Sequence, residues 1–176
     1  MVEQSSATRI AFEHNNGACG EAGSQVTVRH ATLDDVEFLL QSGRLFYLES
    51  ASEDIAPFDY RSLGESIAEL FANPGCSIIL IAERAGVPVG SIAVRLAPVV
   101  FHRATLIGQD AWWWVAPEHR LTGAGSMLIC RMEEEMQKIG GKISSILVFG
   151  EGKSPERVLL RRLGYTKRFS LFIKVG

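Results

Sequence analysis

The chain has 176 residues, 47% of them hydrophobic and 22% charged, which fits one soluble domain with a substantial core and leaves little room for two. A formal net charge of −2 provides no overall field to draw nucleic acid or an anionic membrane, so neither is an expected partner, and an anionic ligand has to be met locally. Cys19, Cys76 and Cys130 lie far apart without histidines at metal-ligand spacing, and no run reaches the roughly 18 apolar residues of a membrane span. A metal-free protein of the reducing cytoplasm is the expectation.

Residues 1–24 are rich in Gly, Ser, Ala and Asn and follow neither helical nor strand periodicity, so they read as an extension before a domain at 25–176. A second subunit that holds this stretch, in a homodimer, is one expectation for it. Val26 and Val28 alternate with polar neighbours as a strand does, and Thr32 with Asp35 marks a helix start. Leu33, Val36, Leu39 and Leu40 form one helical stripe, and Leu63, Ile67, Leu70 and Phe71 form a second after Asp59. Asn73-Pro74-Gly75 ends that helix.

Ser77 to Glu83 and Val87 to Leu96 read as a hairpin turning at Arg84-Ala85-Gly86, and a third strand runs from about Thr105 to Val115. A long amphipathic helix follows, with Ala124, Leu128, Met132, Met136 and Ile139 on its apolar side and Glu133, Glu134, Glu135 and Lys138 toward water. Gly140-Gly141 ends it. Ile143 to Phe149 reads as a buried strand, Ser154-Pro155 opens a short helix closed by Gly164, and Phe169 to Val175 alternate as a last strand. The order is β-α-α-β-β-β-α-β-α-β, an α/β (α+β) pattern without internal repeats.

The informative stretch is Val115-Ala116-Pro117-Glu118-His119-Arg120-Leu121-Thr122-Gly123-Ala124-Gly125-Ser126, a strand end, a glycine turn and a helix start in succession. Such a turn offers backbone amides at the positive end of a helix, where a pyrophosphate fits, with Arg120 adding charge and Ser126 a hydroxyl. The same glycines also suit a plain tight turn. No Lys-Ser or Lys-Thr follows them, so this is not a nucleotide P-loop, and the segment is one glycine short of the dinucleotide fingerprint.

Arg120, Gly123 and Gly125, after Val115 and Pro117, resemble the Q/R-x-x-G-x-G/A motif of the GNAT (Gcn5-related N-acetyltransferase) superfamily. Glu83 to Gly90 resembles the family's second hairpin, and Leu163-Gly164-Tyr165 its Leu-Gly-Phe. The resemblance implies a mixed central sheet of about six to seven strands flanked by about four helices. It implies acetyl-CoA as co-substrate, its pantetheine paired with the backbone of Trp113 and Val115 and its pyrophosphate on the amides of Leu121, Thr122, Gly123, Ala124, Gly125 and Ser126. The implied reaction is acetyl transfer to an amine of a small molecule or a protein, without a metal.

An alkyl amine with a pKa near 10 must lose a proton before it attacks a thioester. By resemblance the base sits on the strand before the glycine turn: register puts Gln109 nearest the family's glutamate, and a strand bulge would bring Asp110 into the site. Glu83 and His102, the latter in the expected loop, are further candidates. The Tyr that many members use to protonate the thiolate is Leu160 here, and an Asn seven residues before it is Lys153. Tyr165 can substitute or pack in the core. A non-catalytic acyl-CoA-binding module and a plain interaction domain are the competing readings. Trp112, Trp113 and Trp114 alternate across their strand, Cys130 reads as helix packing, and Arg157, Arg161 and Arg162 as a solvated face or a contact for the CoA 3′-phosphate.

Overall fold

The structure, a computed structural model, describes residues 25–50, 55–148 and 154–167. Strand β1 (Val26–His30) leads through a 3-10 turn at Leu33–Asp35 into α1 (Val36–Glu49), followed by α2 (Tyr60–Ala72), β2 (Ser77–Arg84), β3 (Val87–Val99) and β4 (His102–Val115). Another 3-10 turn (Pro117–His119) precedes α3 (Ala124–Lys138), β5 (Gly141–Ser145) and α4 (Pro155–Arg162). This is the expected order. The extension at 1–24 and the strand expected at 169–175 lie outside the described residues.

Helix starts follow local chemistry. The Asp35 carboxylate accepts the Thr32 amide at 2.7 Å, and Asp59 accepts the amides of Arg61 and Ser62 at the head of α2, supplying partners that the first turn of a helix lacks. The five described strands, against six or seven expected, run in the order β1-β2-β3-β4-β5. All neighbours are antiparallel except β4 and β5. Leu80 and Ile81 are adjacent, point to opposite faces and are both fully buried, which is why β2 reads as an unbroken apolar run rather than an alternation.

Two cores result. Leu128, Ile129, Met132 and Met136 of α3 pack with Leu80, Ile92 and Val94 on one face, while Leu39, Ile67 and Leu70 of α1 and α2 pack with Ile81, Ala93 and Trp112 on the other. Each fully buried Leu or Ile stabilises the fold by roughly 1.5–3 kcal/mol relative to exposure.

Three local expectations change. β4 starts at His102, so that histidine belongs to the strand and not to the loop before it. β5 ends at Ser145 instead of continuing toward Phe149, because its pairing with β4 stops at Gln109↔Ser145, and it is not the buried strand expected: at the edge of the described sheet, Ile143 is exposed. Glu133 and Glu135 are half-buried rather than facing water: the Ser144 hydroxyl donates to Glu133 at 3.5 Å and also reaches Tyr165 Oη, while Glu135 is held by Arg131 and Lys138, each at 2.8 Å. Among the described residues, no helix is long and apolar enough to cross a membrane, and no group of three or more His, Cys, Asp or Glu is placed to hold a metal ion.

Candidate functional site

Beyond Gln109, β4 continues for six residues without β5, so its outer edge carries peptide groups that the sheet does not pair. The Ala116 amide donates to Val89 O at 2.9 Å and Gly90 stands opposite Val115. By antiparallel alternation, the peptide groups of Trp114 turn to β3 while those of Trp113 and Val115 point outward into the opening. Val115 O accepts Arg120 Nε at 3.0 Å, which fits that outward direction. Trp113 Nε1 is buried without a hydrogen-bond partner among the described residues.

The strand delivers the chain to α3 through Gly123, whose φ of 87° is the left-handed conformation that glycine adopts without strain. Gly123 brings no side chain to cap α3, so the amides of Ala124, Gly125 and Ser126 sit at the positive helix end without a side-chain cap. The Ser126 hydroxyl is turned back onto Gly123 O at 2.8 Å. Leu121 is fully exposed. Gly125 has a different reason to be glycine: a Cβ there would stand 3.2 Å from the Trp113 ring, so its smallness lets α3 seat on β4. An outward strand edge leading to an uncapped helix start suits a long ligand that ends in phosphates, and the residues present fit acetyl-CoA in that respect.

Arg120 is not free on this approach. Its guanidinium is paired with Glu49 at the end of α1, and Trp114 Nε1 donates to the same carboxylate at 3.2 Å. Glu49 was missed by sequence reasoning, since nothing in the chain links two residues 71 positions apart.

The bulge expected on β4 is present, but its extra residue is Ala111: Ala93 stands opposite Trp112 and Val94 opposite Asp110. The bulge carries Trp112 to the α1/α2 side and leaves Asp110 on the α3 side, beside Val94 and two residues beyond Gly108, which packs on Met136. Asp110 is 5% exposed, and its Oδ1 accepts the Leu147 amide at 2.9 Å. Burial pushes its carboxyl up to about 6, with the Leu147 amide pulling the other way. Gln109 is exposed, opposite Arg95, on the face of α2.

The other candidates lie apart. Glu83 is bonded to Arg29 at 2.8 Å. His102 bonds Thr105 at the far end of β4, nine residues from Ala111, or roughly 30 Å of strand. Tyr165 Oη meets Ser144, and burial raises its hydroxyl pKa well above the usual value. Leu160 is buried in the α3-side core. Arg157 reaches Val148 O at 3.3 Å, while Arg161 and Arg162 are exposed. Cys130 is buried within α3.

A cavity of about 350 Å³ opens on the α1/α2 side, lined by Gly43, Phe46 and Tyr47 of α1, residues 55–59, Leu63 of α2, and Ala111 and Trp112 of β4. Its Ala111 wall is two residues from Trp113, so the cavity and the outward strand edge are neighbours.

Comparison with solved structures gives the same architecture. A predicted acetyltransferase with acetyl-CoA from Clostridium acetobutylicum superposes with a TM-score of 0.68 at 14% identity, covering 86% of this chain and 96% of that one. An aminoglycoside acetyltransferase from an uncultured soil metagenomic sample gives 0.64 at 15% identity over 86% and 97%. Glucosamine-6-phosphate N-acetyltransferase from Arabidopsis thaliana gives 0.60 at 12% over 85% and 97%. A comparison with curated proteins finds no match. The sequence profile of the Acetyltransferase (GNAT) family matches residues 42–165, most of the chain and all of the strand, glycine turn and helix described above, and the chain therefore belongs to the GNAT acetyltransferase family.

Proposed function

We propose that this protein transfers the acetyl group of acetyl-CoA to a primary amine by direct attack in a ternary complex. The observation that carries the reading is the opening of the sheet after Gln109↔Ser145, with the outward peptide groups of Trp113 and Val115 leading to the uncapped start of α3. Pantetheine pairs along β4, the pyrophosphate meets the amides from Leu121 to Ser126, and Arg120 supplies positive charge. The acceptor enters from the cavity beside Ala111.

In the reaction the amine nitrogen forms a bond to the thioester carbonyl carbon, the C–S bond breaks, and CoA leaves as a thiolate that needs no strong acid at a thiol pKa near 8.5. Because the bulge leaves Asp110 on the α3 side of β4, across the strand from the cavity, the amine proton reaches it only through water in the opening, and its elevated pKa of about 6 suits a base near neutral pH. Gln109 is the polar neighbour on the cavity side. The reaction needs no metal, and we place it in the cytoplasm.

One observation favours a second reading, a module that binds acyl-CoA without turnover: Leu160 occupies the position of the family's tyrosine and is buried in the core. Release of free CoA thiol across a panel of amines separates the two, while acetyl-CoA raises Tm in both and NAD does not. Saturation at a hundred times Kd should stabilise the protein by about 2.7 kcal/mol. Absence of a shift at millimolar acetyl-CoA would remove both readings.

A further inference from the structure

We infer that the cavity selects a compact acceptor whose amine is carried on an aromatic or branched aliphatic body, and that polycationic and phosphorylated amines are poor substrates. The inference rests on the transferase reading and specifies its acceptor. Four aromatic rings, Phe46, Tyr47, Phe58 and Trp112, take part in the lining, and Phe58 stands 5.1 Å from Tyr47 and 4.8 Å from Tyr60, ring centroid to centroid. No Lys or Arg is among the described lining residues, so a phosphate entering the cavity meets no cation from them.

The polar lining groups are already engaged within the protein. Tyr47 Oη donates to Ala56 O at 2.7 Å, and Trp112 Nε1 donates to the buried Ser91 hydroxyl at 2.9 Å. Asp59, the one charged residue among the described lining residues, holds the Arg61 and Ser62 amides and the Ser62 hydroxyl at the head of α2. A hydroxyl-rich or multiply charged acceptor that sheds water here finds few unengaged side-chain partners among the described lining residues, whereas an apolar body gives up none. Size points the same way: about 350 Å³ lies at the small end of the roughly 300–1,000 Å³ of ligand pockets and fits one ring better than a linked series of sugars.

The test measures CoA release at saturating acetyl-CoA for phenethylamine and isoamylamine against spermidine, kanamycin and glucosamine 6-phosphate. The two apolar amines should show kcat/KM about tenfold or more above each charged acceptor. Ala111→Phe, which fills the cavity from β4, should raise KM for phenethylamine about tenfold with acetyl-CoA Kd unchanged. Ala56→Leu, on the exposed loop wall, repeats this test without touching the sheet. A charged acceptor turning over as well as phenethylamine, or an unmoved KM in a variant that binds acetyl-CoA normally, overturns the inference. If no amine releases CoA, the transferase reading fails separately, and equilibrium dialysis of radiolabelled phenethylamine decides this one. Binding that is lost in Ala111→Phe or Ala56→Leu supports it, and no binding to the parent protein overturns it.

Discussion

Asp110 Oδ1 accepts the Leu147 amide at 2.9 Å, spanning β4 and the chain after β5 just beyond the last residue pair that the two strands share. A side chain has taken over where the backbone ladder stops, and it does so from a buried position that disfavours its own charge.

That burial gives Asp110→Asn two opposite effects. A folded-state pKa raised from 3.8 to about 6 means the native state binds the extra proton between those values, so this group's contribution to stability is largest below pH 4 and is lost as pH rises to about 6. Asn keeps an oxygen for Leu147 without the charge, so Asp110→Asn should stabilise the fold at pH 7 by on the order of 1–3 kcal/mol and have little effect at pH 4. Denaturant titrations at the two pH values check the difference. Turnover should fall with acetyl-CoA affinity nearly unchanged, and the acid limb near pH 6 should disappear from the rate profile. A variant with parental turnover across pH 6 to 9 would exclude Asp110 as the base.

The Glu49–Arg120 pair leads to a prediction about the donor. Both side chains are about two-fifths exposed, 43% and 39%, so the pair contributes at most about 1 kcal/mol to stability. Its importance lies in what it occupies: Arg120 must loosen from Glu49 before its charge can serve a pyrophosphate. Glu49→Gln should therefore tighten acetyl-CoA several-fold by calorimetry and barely move Tm, whereas Arg120→Ala should weaken it by about tenfold. Weaker binding in Glu49→Gln would mean that the pair organises the site instead of competing with it.

The two glycines of the turn should respond differently, although the motif alone treats them alike. Gly123→Val meets only the Ser126 hydroxyl at 3.9 Å but forces a branched residue to a φ of 87°, a backbone cost of roughly 1–2 kcal/mol plus loss of donor affinity. Gly125→Val drives its side chain into Trp113, and also toward Leu159 at 3.6 Å, and should cost about 1–3 kcal/mol by overpacking. Urea unfolding of both variants beside acetyl-CoA titrations distinguishes the mechanisms. Equal losses of stability without loss of binding in either would place the pyrophosphate elsewhere.

The element order was legible because each stripe is long and its ends carry specific chemistry, as with Asp59 at α2 and Gly123 before α3. The strand end, glycine turn and helix start were legible for the same local reason, since Val115 to Ser126 is one contiguous segment. What sequence reasoning missed depends on contacts between distant residues. The direction of Asp110 turns on a bulge at Ala111, whose position depends on how β3 and β4 register. Glu133 was assigned to water by helical spacing alone, and only the approach of β5 and the chain after α4 places Ser144 and Tyr165 beside it.

That last cluster yields a prediction about the missing general acid. Tyr165 follows Gly164 and is the candidate to replace the tyrosine absent at Leu160, but its hydroxyl meets Ser144, which pairs with Gly108 on the closed part of β5, below the opening. Burial and the nearby Glu133 carboxylate both raise its pKa, and a phenol so biased against ionisation is a weak proton donor to a thiolate. Tyr165→Phe should thus lower stability by about 1 kcal/mol, the usual net worth of one hydrogen bond, because it leaves Ser144 with one partner fewer. Turnover and the alkaline limb of the rate profile should stay as in the parent. The measurement is a pH–rate profile from pH 6 to 10 beside thermal unfolding of the same preparation. A large fall in kcat at unchanged Tm would reverse the conclusion and make Tyr165 the acid.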